Sequence, residues 1–395
     1  MKPITKRKLA GFTLIELMIA MGVTMILLYA AVQAFRDASQ TNMSVTQDSD
    51  MSDNLRSGLN LIQTDLQQAG SGIPTGGIPI PFTSNNSTTA PCGTTAPINR
   101  PILNGTTTFP PCNSTLPGVE PGSALGPLIT APDAIAGNPT NPNSYTDEIT
   151  VVYADNLGLD TRPINAVASG SNPGCPLGSL SLSGKTLTAT FDGTTLNSQG
   201  QPNCVNFIKN GITINVGDLM MFSNSLGEAL LAVTSVSGQV LTFAPSDLYN
   251  LNGRTEAGGT VNQLEASGCG GTNACFPNTT ATRIWMVSYY LDNVTSPPYV
   301  RLVRQVGLYP GSATPVGETL ENLQFTYNFV DGVTNPANQF TVPAGNSESQ
   351  IMSVDVYLGA RSSYMVHQGN HTHFSRSNLM TQVSLRSMAY HNEFE

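Results

Sequence analysis

The chain has 395 residues, of which only 11% are charged, with 37 glycines and 27 prolines. That composition fits a loop-rich extracellular β-protein better than a cytosolic enzyme, and the length suffices for a membrane helix plus a sizeable head. The formal net charge of −9 argues against nucleic acid as the main partner, because phosphate contact needs a basic surface.

The first stretch with a clear physical signature is Gly11-Phe12-Thr13-Leu14-Ile15-Glu16, preceded by Lys2, Lys6, Arg7 and Lys8. It runs into Leu17–Phe35, 19 residues without a charge. At ~1.5 Å per residue this spans roughly the hydrocarbon thickness of a bilayer. Glu16 interrupts the apolar run early. A carboxylate at that depth costs a few kcal/mol, which marks it as a functional residue by default.

The run Lys-Leu-Ala-Gly11-Phe12-Thr13-Leu14-Ile15-Glu16-Leu17 resembles the processing site of type IV prepilins and pseudopilins. The resemblance implies a leader over residues 1–11, cut by a prepilin peptidase between Gly11 and Phe12, with N-methylation of Phe12. Glu16 would then be the fifth mature residue, and its carboxylate would pair with the free amine of Phe12, either one turn away in the same helix or equally on a neighbouring subunit. Each charge is expensive alone in an apolar bundle and tolerable when paired. The leader precedes the apolar segment, unlike a conventional secretory signal. Its positive charge keeps the N-terminus cytoplasmic, so the chain after Phe35 is expected in the periplasm. Loss of four leader cations takes Lys+Arg from 17 to 13 against 26 Asp+Glu, so the net charge moves from −9 to −13.

Beyond Phe35 the helix is expected to continue in amphipathic form to Ala69. Met51, Leu55, Leu59, Ile62, Leu66 and Ala69 recur at spacings of 4, 4, 3, 4 and 3, which keeps one stripe apolar. Gly70-Ser71-Gly72 and Pro74 are stop signals, and no proline lies between Phe12 and Gly70. The expected organisation is therefore a helix over 12–69, membrane-spanning over 12–35, and an irregular Gly/Pro/Ser/Thr-rich region over 70–146. A β-rich head over 147–395 follows. The fold class is α+β: a long N-terminal helix packed on an antiparallel, pilin-like head.

Within the head, Glu148–Ala154, Leu180–Phe191, Ile212–Asn215, Asp218–Ser223, Glu228–Val236 and Gln239–Phe243 read as strands. So do Arg283–Leu291, Tyr299–Val306, Leu323–Val330, Ser353–Arg361 and Thr381–Tyr390. Asp331-Gly332 marks a turn. Glu-Asn-Leu-Gln-Phe-Thr-Tyr at 321–327 and Thr-Gln-Val-Ser-Leu-Arg-Ser at 381–387 resemble the C-terminal half of large minor pilins of the PilW kind. Trp285, Tyr289, Tyr290, Tyr299, Tyr309, Phe325, Tyr327 and Phe329 mostly alternate with polar residues, which assigns them to core packing over a glycan-binding face. On a half-buried strand Trp285 and Met286 cannot both face inward.

Six cysteines follow the helix as Cys92/Cys112, Cys175/Cys204 and Cys269/Cys275. An oxidising periplasm permits disulfides, and the sequential pairs each close a short loop, although six cysteines allow fifteen connectivities. None has the Cys-x-x-Cys spacing of a zinc site. His367, His371 and His373 form the one imidazole cluster, in a polar loop without Cys, Asp or Glu beside it, so solvated histidines are favoured over metal ligands. Ser183-Gly184-Lys185-Thr186 lacks the upstream glycine and the strand–loop–helix context of a phosphate loop. No Gly-x-Ser-x-Gly elbow or His-Glu-x-x-His motif occurs, so no catalytic residue and no cofactor is assigned.

The resemblance implies a non-enzymatic minor pilin that enters or primes a pilus, with an adhesive head as one use of its size. Its partners would be other pilin subunits through the N-terminal helix, the prepilin peptidase, and the inner membrane with its assembly machinery. A type II secretion pseudopilin is the rival within the class. A membrane-anchored ligand- or metal-binding protein or enzyme is the rival outside it.

Overall fold

The computed structural model describes residues 13–81, 115–122, 146–155, 180–191, 213–255, 258–266, 276–277, 279–292, 300–307, 312–335, 342, 346–368 and 371–388. Helix α1, Leu14–Gln68, is one unbroken element of 55 residues, about 80 Å long at the usual rise. Thr13 caps it in extended conformation, and Glu16 at the third helical position completes a capping box. Gly70 ends it in the left-handed conformation at φ +74°, the place where helices favour glycine. Its N–H is taken by the Val152 carbonyl at 2.9 Å.

Nineteen strands follow among the described residues, all paired antiparallel. The first ten are β1 (Ile78–Pro79), β2 (Thr115–Leu116), β3 (Val119–Gly122), β4 (Glu148–Ala154), β5 (Leu180–Ser183), β6 (Thr186–Thr190), β7 (Leu219–Asn224), β8 (Gly227–Ala232), β9 (Ser235–Ser237) and β10 (Val240–Phe243). Then come β11 (Thr280–Asp292), β12 (Arg301–Val306), β13 (Ala313–Glu318), β14 (Leu320–Phe329), β15 (Thr334–Asn335), β16 (Ile351–Arg361), β17 (Val366–Gln368), β18 (His371–His373) and β19 (Arg376–Ser384). The largest sheet runs β13-β12-β11-β4-β3, with β7 and β8 extending from β11. A second runs β15-β14-β16-β19 and a third β5-β6-β10-β9.

The outer half of α1 lies under the head. Met51, Leu55, Leu59, Ile62, Leu66 and Ala69 are all buried, in one cluster with Tyr289, Leu302, Phe325, Tyr327 and Leu358. Full burial of a Leu or Ile side chain contributes about 1.5–3 kcal/mol, so this stripe is the main attachment of helix to head. Gly58 lets the two approach: a Cβ there would stand 2.9 Å from Leu302 Cδ2 and 3.2 Å from Leu358 Cδ2. Gly58→Val is expected to lower head stability by about 1–3 kcal/mol through overpacking, read as a lower urea midpoint.

Strand β14 alternates as the sequence does, with Leu323, Phe325, Tyr327 and Phe329 buried and Gln324, Thr326 and Asn328 less so. Its turn into β15 uses Gly332 at φ +82°. Strand β11 is covered on both faces, which removes the conflict between Trp285 and Met286. Trp285 packs against the helix-side core, and Met286 joins a second cluster with Ile78, Val152 and Tyr249. A third cluster, around Phe222 and Phe243 in edge-to-face contact at 5.2 Å, holds β5–β10 together. Gly184 and Lys185 form the β5–β6 hairpin turn, not a phosphate loop.

Several elements differ from the sequence reading. Thr213–Asn215 is not a strand: Asn215 N–H donates to Asp218 Oδ2 at 3.0 Å and Asp218 N–H to the Asn215 carbonyl, closing a turn. The expected strand Glu228–Val236 is two, because the chain leaves β7 after Ala232 and joins β10 from Ser235. β19 begins at Arg376 and ends at Ser384, before a helical turn at 386–388. After the bond from Leu385 N–H to the Met352 carbonyl at 2.9 Å, the ladder stops because the chain ahead of β16 is the 3-10 turn Glu348–Gln350 and not an extended strand. Within 70–146 the described residues form β1, β2 and β3, two to four residues each. β13 contains Pro315 yet is a strand, because it is a sheet edge with a register shift opposite.

Candidate functional site: the N-terminal helix and its seat in the head

The inner half of α1 carries its apolar residues outward. Leu14, Ile15, Met18, Ile26, Leu28 and Phe35 are all more than half exposed. The most apolar 18-residue window has a mean hydropathy of 2.1, and none of it is buried in the chain. Length and composition suit a membrane crossing. Glu16 sits at the start of this surface. Its carboxylate accepts the Thr13 N–H and the Thr13 hydroxyl, both at 3.0 Å, while Glu16 N–H donates to Thr13 Oγ1 at 3.4 Å. Glu16 therefore caps its own helix in the isolated chain. Gly11 and Phe12 lie outside the described residues.

The six cysteines expected to form disulfides lie outside the described residues as well. Cys92 and Cys112 flank β2 on its N-terminal side, Cys175 and Cys204 fall on either side of β5 and β6, and Cys269 and Cys275 fall between the 3-10 turn Val261–Leu264 and β11. The expected pairings Cys92/Cys112, Cys175/Cys204 and Cys269/Cys275 therefore fall outside the described residues.

The outer half of α1 carries a polar contact that the sequence reading missed. Asp65 lies on the buried side of α1, 4% exposed, and is engaged by three strands of the large sheet. Tyr153 of β4 donates to Oδ1 at 3.2 Å, Tyr289 of β11 donates to Oδ2, and Arg304 of β12 pairs with Oδ2 at 2.8 Å. Arg304 Nε also reaches the Tyr289 oxygen at 3.2 Å. Burial first, and the adjacent Asp65 carboxylate next, push both phenols above their ordinary range, so they stay protonated donors. The signal was present, since Asp65 follows Ile62 by three positions and precedes Leu66, inside the apolar stripe. A second buried ion pair, Arg283 with Asp155, ties β11 to the end of β4, and Arg283 lies over the Trp285 ring at 4.6 Å.

The histidine stretch is a hairpin, not an open loop. β17 and β18 continue the β16–β19 ladder past Arg361↔Arg376, through Ser362 N–H to the Ser375 carbonyl at 2.8 Å. His373, Met365 and Ser375 line a groove with Asp37, Thr41, Ser44 and Asp48 of α1. Ser375 Oγ donates to Asp48 Oδ1 at 3.0 Å. The side chains of His367 and His371 lie outside the described residues. Among the described residues no group of three or more His, Cys, Asp or Glu side chains is arranged to hold a metal.

Of the aromatic candidates, Tyr289, Tyr290, Phe325, Tyr327 and Phe329 are buried. Tyr299 and Tyr309 lie outside the described residues.

The family comparison falls on the helix start. Residues 6–32 match the model of the prokaryotic N-terminal methylation motif. The chain carries the N-terminal methylation motif. The matched segment holds Gly11, Phe12, Glu16 and most of the exposed apolar surface. No curated relative matches the chain. Among solved structures, a type IV-like pilin from Thermus thermophilus is similar at 11% identity, over 44% of this chain and 87% of that one, with a TM-score of 0.17. A score that low carries no argument about the head, so the assignment rests on the methylation motif and the helix behind it.

Proposed function

We propose that this protein is a minor type IV pilin. The observation that carries the reading is the methylation motif joined to a continuous helix, exposed and apolar in its inner half and seated under a β-rich head in its outer half. In this reading a prepilin peptidase cuts between Gly11 and Phe12 and Phe12 is N-methylated. The 12–35 segment holds the protein in the inner membrane with its head in the periplasm. The same segment later packs among the helices of other pilin subunits in the surface pilus. In the exported head the cysteines pair as Cys92 with Cys112, Cys175 with Cys204 and Cys269 with Cys275, a pairing that rests on the oxidising compartment and the short loops it closes. Mass spectrometry of the exported protein is expected to find no free thiol, and six free thiols would overturn the disulfides. The large head suits a low-copy subunit that primes assembly or displays an adhesive surface, because a tight helical shaft favours a compact repeat.

Deleting the gene is expected to remove surface filaments and twitching, with secretion of type II substrates unchanged. Loss of secretion with pili intact would instead assign the chain to a type II secretion pseudopilus.

A further inference from the structure

Glu120 and Glu148 stand on adjacent strands at the edge of the large sheet. The register Glu120↔Thr150 and Gly122↔Glu148 sets them diagonally on one face of the β3–β4 pair. Both are fully buried. Neither oxygen of Glu120 has a hydrogen-bond partner. A carboxylate without donors is far more costly to bury ionised than as the neutral acid. Glu348, in the 3-10 turn Glu348–Gln350 packed on β3, adds a like charge, and Asp147 and Tyr327 are the other titratable groups around the site. Among the described residues no cation faces Glu120. Thr150, opposite Glu120, shares its hydroxyl with Ser288 of β11, and neither Glu120 oxygen accepts from it.

β3 is short, has one neighbouring strand among the described residues, and holds the junction between helix and head. Val152 N–H donates to the Gly118 carbonyl at 2.8 Å, and Gly118 packs so closely on Gly70 that an added Cβ would stand 2.5 Å from the Gly70 nitrogen. We propose that β3 is a proton-held latch: Glu120 carries a proton in the closed head, and ionisation of Glu120 releases β3 from β4 and from the C-terminal end of α1.

Burial, and then the Glu348 charge, raise the Glu120 carboxyl well above its ordinary value. A group bound more tightly to its proton in the closed state than in the open one favours closure most below its open-state pKa, and that advantage falls as pH rises. The latch is therefore tight in acid and loosens in base.

Hydrogen exchange of the full-length chain in detergent micelles, corrected for intrinsic rates, tests this directly. Between about pH 5 and about pH 9, protection of the 115–122 segment is expected to fall by up to roughly tenfold per pH unit in the wild type. In Glu120→Gln it should stay constant with pH. Protection of the β14 and β16 amides serves as the internal reference and should not follow the same trend. A pH-independent wild-type segment would overturn the latch, and this series stands by itself if the variant does not fold. So would recovery of protection in base on adding millimolar calcium, reversed by chelator, since the site would then hold a cation in place of the proton. Loss of the latch would leave the pilin reading untouched, which gene deletion tests separately.

Discussion

Asp65→Ala is expected to destabilise the head by about 3–5 kcal/mol, the cost of leaving one half of a buried ion pair behind. Arg304 and the Tyr153 and Tyr289 hydroxyls would lose their shared acceptor. All three come from the large sheet, whereas Asp65 comes from the helix, so the loss falls on the join between them. Urea unfolding followed by far-UV circular dichroism would show it as a large drop in midpoint. Asp65→Asn keeps one acceptor oxygen and should lose less. A double-mutant cycle with Arg304→Met isolates the pair, and additive effects would show that the ion pair adds nothing to the apolar stripe. The two phenols add a pH signature. Their folded values lie above the ordinary tyrosine value, so their contribution is complete below about pH 10 and is lost as pH rises through the folded values. Wild-type stability should decline above that point, and Tyr289→Phe should decline less.

Glu16→Ala is expected to leave cleavage at Gly11–Phe12 intact and to reduce recovery in sheared filaments by roughly 10- to 150-fold. That range converts the about 1.5–3 kcal/mol of a charge-assisted hydrogen bond. Intact mass of the membrane-bound protein reports cleavage, and immunoblotting of sheared filaments reports incorporation. The structure supplies the necessary control. Glu16 also caps its own helix through Thr13, so helix fraying is a competing cause of failure. Thr13→Val removes the hydroxyl half of the cap, at about 1 kcal/mol, and keeps the carboxylate. If Thr13→Val reproduced the loss, the role of Glu16 would be capping; normal incorporation of Glu16→Ala would remove its role in assembly altogether.

The helix was legible because its determinants are local. A 3.6-residue apolar spacing and the Gly70 stop act within a turn or two of backbone, so the helix expected over 12–69 differs from Leu14–Gln68 by two residues at the start and one at the end; the Thr13–Glu16 box that sets the start is seen only in the structure. Strands β14 and β16 were legible for the same reason, since alternation is written in neighbouring residues. Glu228–Val236 was not, because nothing local says that the chain changes sheets between Ala232 and Ser235. The hairpin at His367–His373 escaped notice for a related reason. Its polar residues pair because the β16–β19 ladder delivers both ends in register at Arg361 and Arg376.

The amino-acid sequence by itself determined the N-terminal device: the leader charges, Gly11, Phe12, Glu16 and the apolar run are contiguous, so their chemistry needs no fold to bring it together. Only the tertiary structure decided how that device is fastened to the head. Asp65 meets Tyr153, Tyr289 and Arg304 from as far as 239 positions away, and Glu120 is buried beside Glu148 because β3 and β4 pair. Such contacts depend on which strands become neighbours, and that follows from burying the whole stripe and both sheet faces at once.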